Sequence, residues 1–412
     1  RMAGSDDRDG YTNDSASFRL AQDFGDTTTW SLRALHADGV TEFDNFTTGA
    51  SDEYETDFLQ QALSTSLDTQ ITGVWSMSLT AGQTRDEQST LSGGPPEDVF
   101  NTRRNEISWK NDFTIGTQHL VTLGYDYRND KVSSTNDFDE TERRNDAVFG
   151  QWQWTGQRAD VQLSGRYDDN EAYGKETTGN IAAGYRFGET VRIYGSYGTA
   201  FKAPTFNDLF FESATFVGNP DLEPEESATL EFGVEGTGEV GWNANIFHTK
   251  IDNLLASSDP DGFSGPMPGT TVNRDEARIT GLELGLDTTY GGWDLSASAT
   301  LLETELQTND PEIDGNELRR RPDRTVNFDF SRDIGPVRFG MHVRHESDRF
   351  DDVENDDKLD GFTLISTRLS WQMRKNVSLE ASVENLADVD YQTVRGFNTL
   401  GRTAYLRLRY QL

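Results

Sequence analysis

Cysteine is absent from this 412-residue chain, which excludes disulfide bonds and thiolate chemistry. Apolar residues are scarce as well: they make up 34% of the chain, and the mean hydropathy is −0.70. No run of about 18 apolar residues occurs, which excludes membrane-spanning helices. So small an apolar fraction suits strands that need apolar side chains on one face only.

Basic residues are few beside acidic ones: Lys and Arg total 37 against 71 Asp and Glu, a formal charge of −34. Such a surface repels phosphates, so nucleic acid is not expected as a partner. The acidic excess fits either solvated loops or binding of divalent cations. The segment Arg1–Asp14 is polar and acidic, so no signal peptide is recognised, and we expect a chain that is mature or cut from a longer one.

The last ten residues, Thr403–Leu412, show the pattern that organises the chain. The even-numbered residues are the apolar set: Ala404, Leu406, Leu408, Tyr410 and Leu412. The odd-numbered residues are the polar set: Thr403, Tyr405, Arg407, Arg409 and Gln411. Successive side chains of a strand point to opposite faces, so one face is apolar and the other carries two guanidinium groups. A strand of about ten residues with such faces is typical of a closed barrel with lipid outside and water inside.

Alternation recurs along the chain, but a soluble β-sandwich also alternates, so the links between strands decide the fold. Counted back from Leu412, long and short links take turns: Glu384–Gly401 is long, Arg374–Asn376 short, Glu346–Gly361 long and Asp333–Gly335 short. Long loops on one side and tight turns on the other are typical of outer-membrane barrels. The sequence therefore predicts an all-β, transmembrane antiparallel β-barrel of about 19 strands, with long outer loops and short periplasmic turns.

An odd strand count is unusual, because single-chain bacterial barrels have an even number of strands and an odd count leaves edges unpaired. We therefore expect that at least one N-terminal strand is missing; an error in the strand count is the alternative. Arg1–Tyr11 is predicted to be an external loop. Residues 1–412 are expected to form one N-terminally truncated barrel domain.

Four stretches resemble one known family. They are Tyr194–Leu209, Gly218–Ser227, Val383–Val394 and Ser164–Asn170, and the second contains the run Asn-Pro-Asp-Leu-Glu-Pro-Glu. These motifs resemble the barrel of TonB-dependent outer-membrane receptors, most of all the cobalamin (vitamin B12) receptors. The resemblance extends weakly over the whole chain, and its motifs say less about the ligand than about the superfamily.

The resemblance implies a place in the outer membrane of a Gram-negative bacterium and TonB-dependent active transport of cobalamin (vitamin B12). External loops would capture a scarce, bulky ligand, a plug in the lumen would complete the site, and TonB would pull on the plug. A monomer in contact with outer-membrane lipid and lipopolysaccharide is expected as well. The alternative is a ferric siderophore or haem receptor of the same superfamily. From other classes, a passive porin or an outer-membrane enzyme barrel is the alternative.

The chain departs from the family in three ways. No stretch resembles the family's signal peptide, TonB-contacting segment or plug domain. The family barrel has about 22 strands, and the family usually ends in Phe, where this chain has Leu412. We therefore expect the barrel part only.

Acidic residues cluster in and beside the predicted loop Ala37–Glu55. The set is Asp38, Glu42, Asp44, Asp52, Glu53 and Asp57. Calcium takes about six to eight oxygen ligands, often several carboxylates. In cobalamin receptors, acidic residues of an early outer loop bind calcium, and the resemblance implies Asp44, Asp52, Glu53 and Asp57 as candidate Ca²⁺ ligands. A solvated acidic loop is the alternative.

Two other charged runs, one basic and one acidic, have different predicted roles. Arg319–Arg321 would grip lipopolysaccharide phosphates or face the lumen. The acidic run Asp351–Asp357 is typical of a solvated loop tip. Three prolines predict that Lys202–Glu225 is a rigid, folded loop, which braces the barrel or contacts the ligand.

Single aromatic and histidine residues are placed by parity. Trp152 and Trp154 are predicted to lie in an outer-face aromatic band. His342 is predicted to face the lumen near Arg344, and His345, on the other parity, to lie near a rim. No Ser/His/Asp arrangement and no Gly-rich phosphate loop occurs, so no catalytic site, redox cofactor or enzyme activity is expected.

Overall fold

A computed structural model describes residues 10–44, 53–91, 98–213, 216–257, 269–274 and 276–411. In these ranges the chain forms 25 strands and a five-residue helix, α1 (Phe206–Phe210). No helix in the described ranges has the length and apolar content needed to cross a membrane. The strands are β1 (Tyr11–Phe24), β2 (Thr28–Asp44), β3 (Glu53–Thr72), β4 (Trp75–Leu91), β5 (Asp98–Ile115), β6 (His119–Ser134), β7 (Asp137–Phe138), β8 (Glu142–Thr155), β9 (Ala159–Asn170), β10 (Gly174–Phe187), β11 (Val191–Lys202), β12 (Phe211–Glu212), β13 (Glu225–Gly236), β14 (Val240–Asp252), β15 (Leu255–Ser257), β16 (Thr271–Asn273), β17 (Glu276–Tyr290), β18 (Trp293–Gln307), β19 (Arg324–Ile334), β20 (Val337–Glu346), β21 (Arg349–Phe350), β22 (Lys358–Leu359), β23 (Phe362–Arg374), β24 (Val377–Glu384) and β25 (Thr403–Tyr410).

Nineteen of these strands form one sheet, which confirms the predicted number, and the other six are short strands within the loops. The short strands pair as β7 with β12, β15 with β16, and β21 with β22. The chain divides into two compact units. The first comprises Arg1–Ala182, Gly198–Ser227 and Asn253–Arg274, and the second comprises Ala183–Tyr197, Ala228–Asp252 and Asp275–Leu412.

In the first unit, strands β1 to β6, β8 and β9 pair antiparallel, each with the next. Their hairpins are tight: Gly25 and Gly116 have φ values of 67° and 64°, a left-handed conformation that glycine adopts without a Cβ clash. Partners across a ladder share a face of the sheet. The register therefore lines up one side chain from each strand into rows that cross the sheet.

In the second unit, β14, β17 to β20 and β23 to β25 pair antiparallel in chain order. The last strand has the two faces that its sequence predicts. Leu406 and Leu408 pair with Ala381 and Leu379 of β24, and they are 75% and 68% exposed. On the other face Arg407 pairs with Glu380.

The apolar face of the first unit is continuous from strand to strand. One row, termed the apolar row, crosses seven strands through Trp30, Leu67, Leu79, Trp109, Tyr125, Val148 and Tyr167. Trp109 and Val148 are 46% and 53% exposed. A soluble monomer rarely presents apolar rows of this extent to water. The face is therefore suited to lipid.

More than half of the buried apolar side chains belong to the loops rather than to the main sheet. Of the eleven buried hydrophobic residues in the described ranges, six lie outside the main sheet: Phe206, Leu209, Leu222, Ile313, Leu318 and Leu359. The sheet itself depends on its backbone ladder, because an unpaired N–H or C=O group in hydrocarbon costs several kcal/mol.

Long and short links alternate as predicted except at 171–173, where three residues stand in place of a long link, and several other long links are shorter than predicted. Strand β2 continues to Asp44 and β3 begins at Glu53, so the described residues of the predicted loop Ala37–Glu55 all lie in strands. Strands β4 and β5 likewise extend into the predicted loop Arg85–Arg103. These strands are 17 to 20 residues long, whereas about ten residues span the bilayer. Beyond the bilayer both faces are wet, so the apolar alternation that marks a strand is lost.

Candidate ligand-binding site

The folded loop between β11 and β13 contains the Asn-Pro-Asp-Leu-Glu-Pro-Glu motif and the helix α1. Thr205 caps this helix: its hydroxyl accepts a hydrogen bond from the Asp208 N–H at 3.2 Å, and the Asp208 carboxylate accepts one from the Thr205 N–H at 2.9 Å. Pro204 and Leu209 are fully buried. The loop is folded and packed, as its prolines predict.

The motif fastens this loop to the neighbouring segment 269–274. The Asn219 side chain donates to the Thr271 carbonyl at 3.1 Å, and the Thr271 hydroxyl donates to the Asp208 carboxylate at 2.9 Å. Glu223 N–H donates to the Asn273 side chain, which donates back to the Glu223 carbonyl, both at 2.8 Å. The motif thus braces two loops against each other.

Gly218 directly precedes the motif and lies close against the end of α1. A Cβ added there would stand 2.7 Å from backbone atoms of Leu209 and Phe210, which cannot yield as a flexible side chain would. We expect Gly218→Ala to destabilise the packed loop by about 1–3 kcal/mol. The measurement is the rate at which a non-specific protease cleaves the loop in the folded protein.

Gly73→Ala is the matched control for this substitution. Nothing lies within 4 Å of a Cβ added at Gly73, so its cleavage rate should equal that of the wild type. Equal rates for the Gly218 and Gly73 variants would contradict the close approach at the motif.

Three guanidinium groups surround one carboxylate on the polar face of β5, β6 and β8; we term this the Asp130 cluster. Asp130 Oδ1 lies 2.6 Å from Arg104 Nε, and Oδ2 lies 3.5 Å from Arg128 Nε and 3.8 Å from Arg143 Nε. The Asp130 side chain is 10% exposed. The ladder aligns Arg104, Asp130 and Arg143 in one row, so strand register builds the cluster. Its excess of positive charge suits an anionic part of a ligand.

Arg143 joins the Asp130 cluster to the folded loop. Its Nη1 donates to the Pro204 carbonyl at 2.8 Å, and its guanidinium carbon lies 4.5 Å from the centroid of the Phe206 ring. This combines a hydrogen bond with a cation–π contact. One side chain therefore couples the strand wall to the loop that carries the motif.

A cavity of about 410 Å³ lies between the Asp130 cluster and α1. Small-molecule sites span roughly 300–1,000 Å³. Its lining includes Phe206 of α1 and five residues with the parity of the polar face: Leu35, Gln60, Thr84, Arg104 and Arg143. The cavity is open, mixed in polarity and closed on one side by the loop.

Three other cations border this cavity only through their backbone. Arg85, Arg103 and Lys131 are adjacent to cavity-lining residues, but each has the opposite parity from its polar-face neighbour. Their side chains therefore lie on the apolar face. The positive charge of the cavity comes from Arg104 and Arg143.

The structure does not test the predicted calcium site. Asp52 lies outside the described residues; Asp44 and Glu53 pair at the end of the β2–β3 ladder, and Asp57 is exposed opposite Val40. Within the described ranges, no group of three or more carboxylate or imidazole side chains is placed to hold a metal ion. The calcium site stays a prediction.

In the second unit, the predicted solvated tip Asp351–Asp357 is tied to two other loops. Arg320 Nε donates to Asp351 at 2.9 Å, and Arg395 Nε donates to Asp357 at 3.0 Å. The hydrogen bond from Arg395 lowers the pKa of Asp357. Arg320 belongs to the basic run whose predicted partners were lipid phosphate or the lumen, so at least this member holds a loop contact.

Trp152 and Trp154 share the apolar face of β8, which agrees with their predicted parity; Trp154 pairs with His119 beside the short turn. Trp152 lies on the apolar face, in a row across β4, β5, β6 and β8 with Trp75, Phe113 and Val121 that we term the aromatic row. The Trp152 indole donates to His119 at 3.2 Å. This row lies beside the short turns.

The two histidines of β20 lie on the opposite faces that their parity predicts. His342 shares the polar face with Arg344 and lies 3.7 Å from the Asp329 carboxylate. His345 has the other parity and lies next to the end of β20. Neither residue takes part in the first unit's cavity.

The sequence prediction missed the Asp130 cluster. Asp130 and Arg143 lie inside the predicted link Asn129–Arg144, yet β6 continues to Ser134 and β8 begins at Glu142. Arg104 and Arg128 lie directly beside predicted links. The signal that could have found the cluster is the pairing register on either side of the tight turn, rather than any local motif.

Comparison with known proteins gives the class. Residues 2–386 match the family described as TonB dependent receptor-like, beta-barrel. The chain therefore belongs to the TonB-dependent receptor β-barrel family, a family of receptors and transporters, and it is an outer-membrane protein.

Relatives and solved structures of this family resemble the chain over nearly all of its length. It is 27% identical over 419 residues to the vitamin B12 transporter BtuB of Photobacterium profundum and 26% identical over 424 residues to that of Vibrio cholerae, covering 98% of this chain and 65% of each relative. The crystal structure of the siderophore receptor PiuA from Acinetobacter baumannii matches with a TM-score of 0.82 and 15% identity, covering 100% of this chain and 76% of that one. The chain thus spans about two thirds of the length of these curated relatives, and the structural likeness shows the fold alone.

Proposed function

We propose that this chain forms the barrel of a TonB-dependent transporter for cobalamin (vitamin B12). The choice of cobalamin as the ligand rests on the 27% identity to a vitamin B12 transporter over 98% of the chain. Membership of the barrel family supports active transport. The cavity of about 410 Å³ beneath the braced loop offers a place where part of a bulky ligand would bind.

Uptake would draw on parts of the relatives that these 412 residues do not span. By the resemblance, a plug would complete the ligand site, and TonB would pull on the plug to open a path. In this scheme the residues described here capture the ligand. Because Arg143 contacts both the Asp130 cluster and the loop carbonyl of Pro204, a ligand that engages Arg143 would shift the loop.

Competition binding tests the proposal. We expect the detergent-solubilised chain to bind radiolabelled cyanocobalamin saturably, and unlabelled cobalamin to displace it where a ferric catecholate siderophore and haem do not. Arg143→Gln should weaken the affinity by at least about tenfold, since it removes a charge-assisted contact worth about 1.5–3 kcal/mol.

Lys110→Gln is the matched control for Arg143→Gln. Lys110 is a partly exposed cation on the same strand as Arg104, near the opposite end, and pairs with Asp112 at 3.1 Å. Its removal should leave the affinity unchanged. If cobalamin, the ferric catecholate siderophore and haem all failed to bind saturably, the proposed role of the folded loop and the Asp130 cluster in ligand capture would be contradicted.

A ferric siderophore is the second candidate ligand. The Asp130 cluster sets three guanidinium groups against one carboxylate, which favours an anionic ligand. In the competition experiment, displacement by the ferric catecholate siderophore but not by cobalamin would favour this alternative.

A further inference from the structure

Three cations lie side by side on the apolar face of the first unit, and we term them the cationic row: Arg85 of β4, Arg103 of β5 and Lys131 of β6. The ladder pairs Arg85 with Arg103 and Arg103 with Lys131. Directly paired residues on neighbouring strands have Cβ atoms about 5 Å apart. The row therefore holds three positive charges within a width that one or two phosphate groups can span.

The cationic row lies one bilayer thickness from the aromatic row. Arg85, Arg103 and Lys131 are each ten positions along their strands from Trp75, Phe113 and Val121, and share their face. At about 3.4 Å per residue and a strand tilt of roughly 40°, ten positions correspond to about 26 Å along the membrane normal. The apolar band of an outer-membrane barrel is about 25 Å tall. Because the aromatic row lies beside the short turns, the cationic row marks the outer-leaflet boundary.

The charges of the cationic row are only partly neutralised. Lys131 pairs with Glu142 at 2.6 Å, whereas Arg85 hydrogen-bonds the neutral Gln83 at 3.1 Å. Neither Arg85 nor Arg103 forms a salt bridge with another described residue, and both are exposed. Like charges directly opposite each other in a sheet are destabilising. In a chain with 71 acidic and 37 basic residues, this juxtaposition favours an anion from outside.

We propose that the cationic row binds phosphate groups of an outer-leaflet lipid, the phosphorylated lipid A part of lipopolysaccharide. Guanidinium groups bind phosphate oxygens in a bidentate manner, and paired arginines present two such forks at headgroup level. The acyl chains of the same lipid would lie against Ile107 and Trp109, which are 44% and 46% exposed on the same face of β5. The site is on the opposite face from the ligand cavity and does not depend on the transported ligand.

Native mass spectrometry of the detergent-solubilised chain tests this proposal. Diphosphoryl lipid A, dephosphorylated lipid A and inorganic phosphate are each titrated into the wild type and into Arg85→Gln/Arg103→Gln. We expect the wild type to bind diphosphoryl lipid A at least tenfold more tightly than the dephosphorylated form, and the double variant to lose that preference. Arg85→Lys/Arg103→Lys should keep most of it, because the charge is retained.

The matched control is Arg19→Gln/Arg33→Gln, which removes two paired arginines from the opposite face. It should bind diphosphoryl lipid A as the wild type does. Equal binding by the wild type and the Arg85/Arg103 glutamine variant would overturn the proposal, as would an equal loss in the control. Inorganic phosphate bound as tightly as diphosphoryl lipid A would also overturn it, since that result identifies a small-anion site. Where the glutamine variant fails to fold, the lysine variant and the dephosphorylated lipid decide the outcome.

Discussion

Glu346→Gln should lower the free energy of unfolding by about 3–5 kcal/mol, because it leaves a buried cation without its counter-charge. Glu346 and Arg349 are 4% and 5% exposed. The Glu346 carboxylate accepts from Arg349 Nη2 at 2.5 Å and from Arg344 Nε at 2.6 Å. A glutamine amide keeps the shape of the carboxylate but cannot balance the charge of Arg349. The measurement is the denaturant midpoint of the chain refolded in detergent micelles.

Asp333→Asn is the control for this loss, since it removes the same charge from the same unit at an exposed position. Asp333 pairs with Arg338 at 3.2 Å, and its side chain is 66% exposed. Exposed pairs contribute about 0–1 kcal/mol. If the denaturant midpoints of Glu346→Gln and Asp333→Asn were equally close to the wild-type midpoint, the argument from burial would be contradicted.

Asp130→Ala, in the first unit, should lower the free energy of unfolding by about 3 kcal/mol, since it leaves three guanidinium groups facing one another without the carboxylate between them. Arg143 would lose the anion that holds it beneath the loop, while its contact to the Pro204 carbonyl remains. We therefore expect both a lower denaturant midpoint and faster proteolysis of the loop between β11 and β13.

Asp112→Ala is the comparison that isolates the Asp130 cluster. Asp112 pairs with one cation, Lys110, at 3.1 Å, and that lysine is 46% exposed. Its loss should change the free energy of unfolding by less than about 1 kcal/mol, and the midpoint correspondingly little. A similar midpoint and similar proteolysis in both variants would mean that the cluster does not anchor the loop.

The strands could be predicted where one face meets lipid and the other meets water. Leu406 and Leu408 of β25 define one face, and Arg407 and Arg409 define the other. The two faces of the last strand therefore follow from the alternation of apolar and charged residues in the sequence. The tight turns could be predicted as well, because glycines such as Gly116 adopt the left-handed conformation that a short hairpin requires. The outer ends of β2 to β5 could not, since apolar and polar residues are mixed on both of their faces.

The candidate site was beyond local sequence reasoning because it depends on register. Arg104 and Asp130 are 26 positions apart, and each is an unremarkable charge in a polar stretch. They meet because Arg104 lies eleven positions before Ile115 and Asp130 eleven after His119, the pair that closes the turn. Counting outward from the turn would have found this contact. The contacts of Arg143 with Pro204 and Phe206 depend on the fold of a distant loop, which no such count reaches.

In each unit the strands named above as belonging to the main sheet pair with the next main-sheet strand along the chain, and this order constrains how such a protein can change over generations. Deleting or duplicating two consecutive strands leaves their flanking neighbours antiparallel and ready to pair. Deleting one strand would bring parallel neighbours together, which need a crossover of about a dozen residues or more. Descendants of this architecture should therefore gain or lose strands two at a time, with every surviving loop still on its original side of the bilayer.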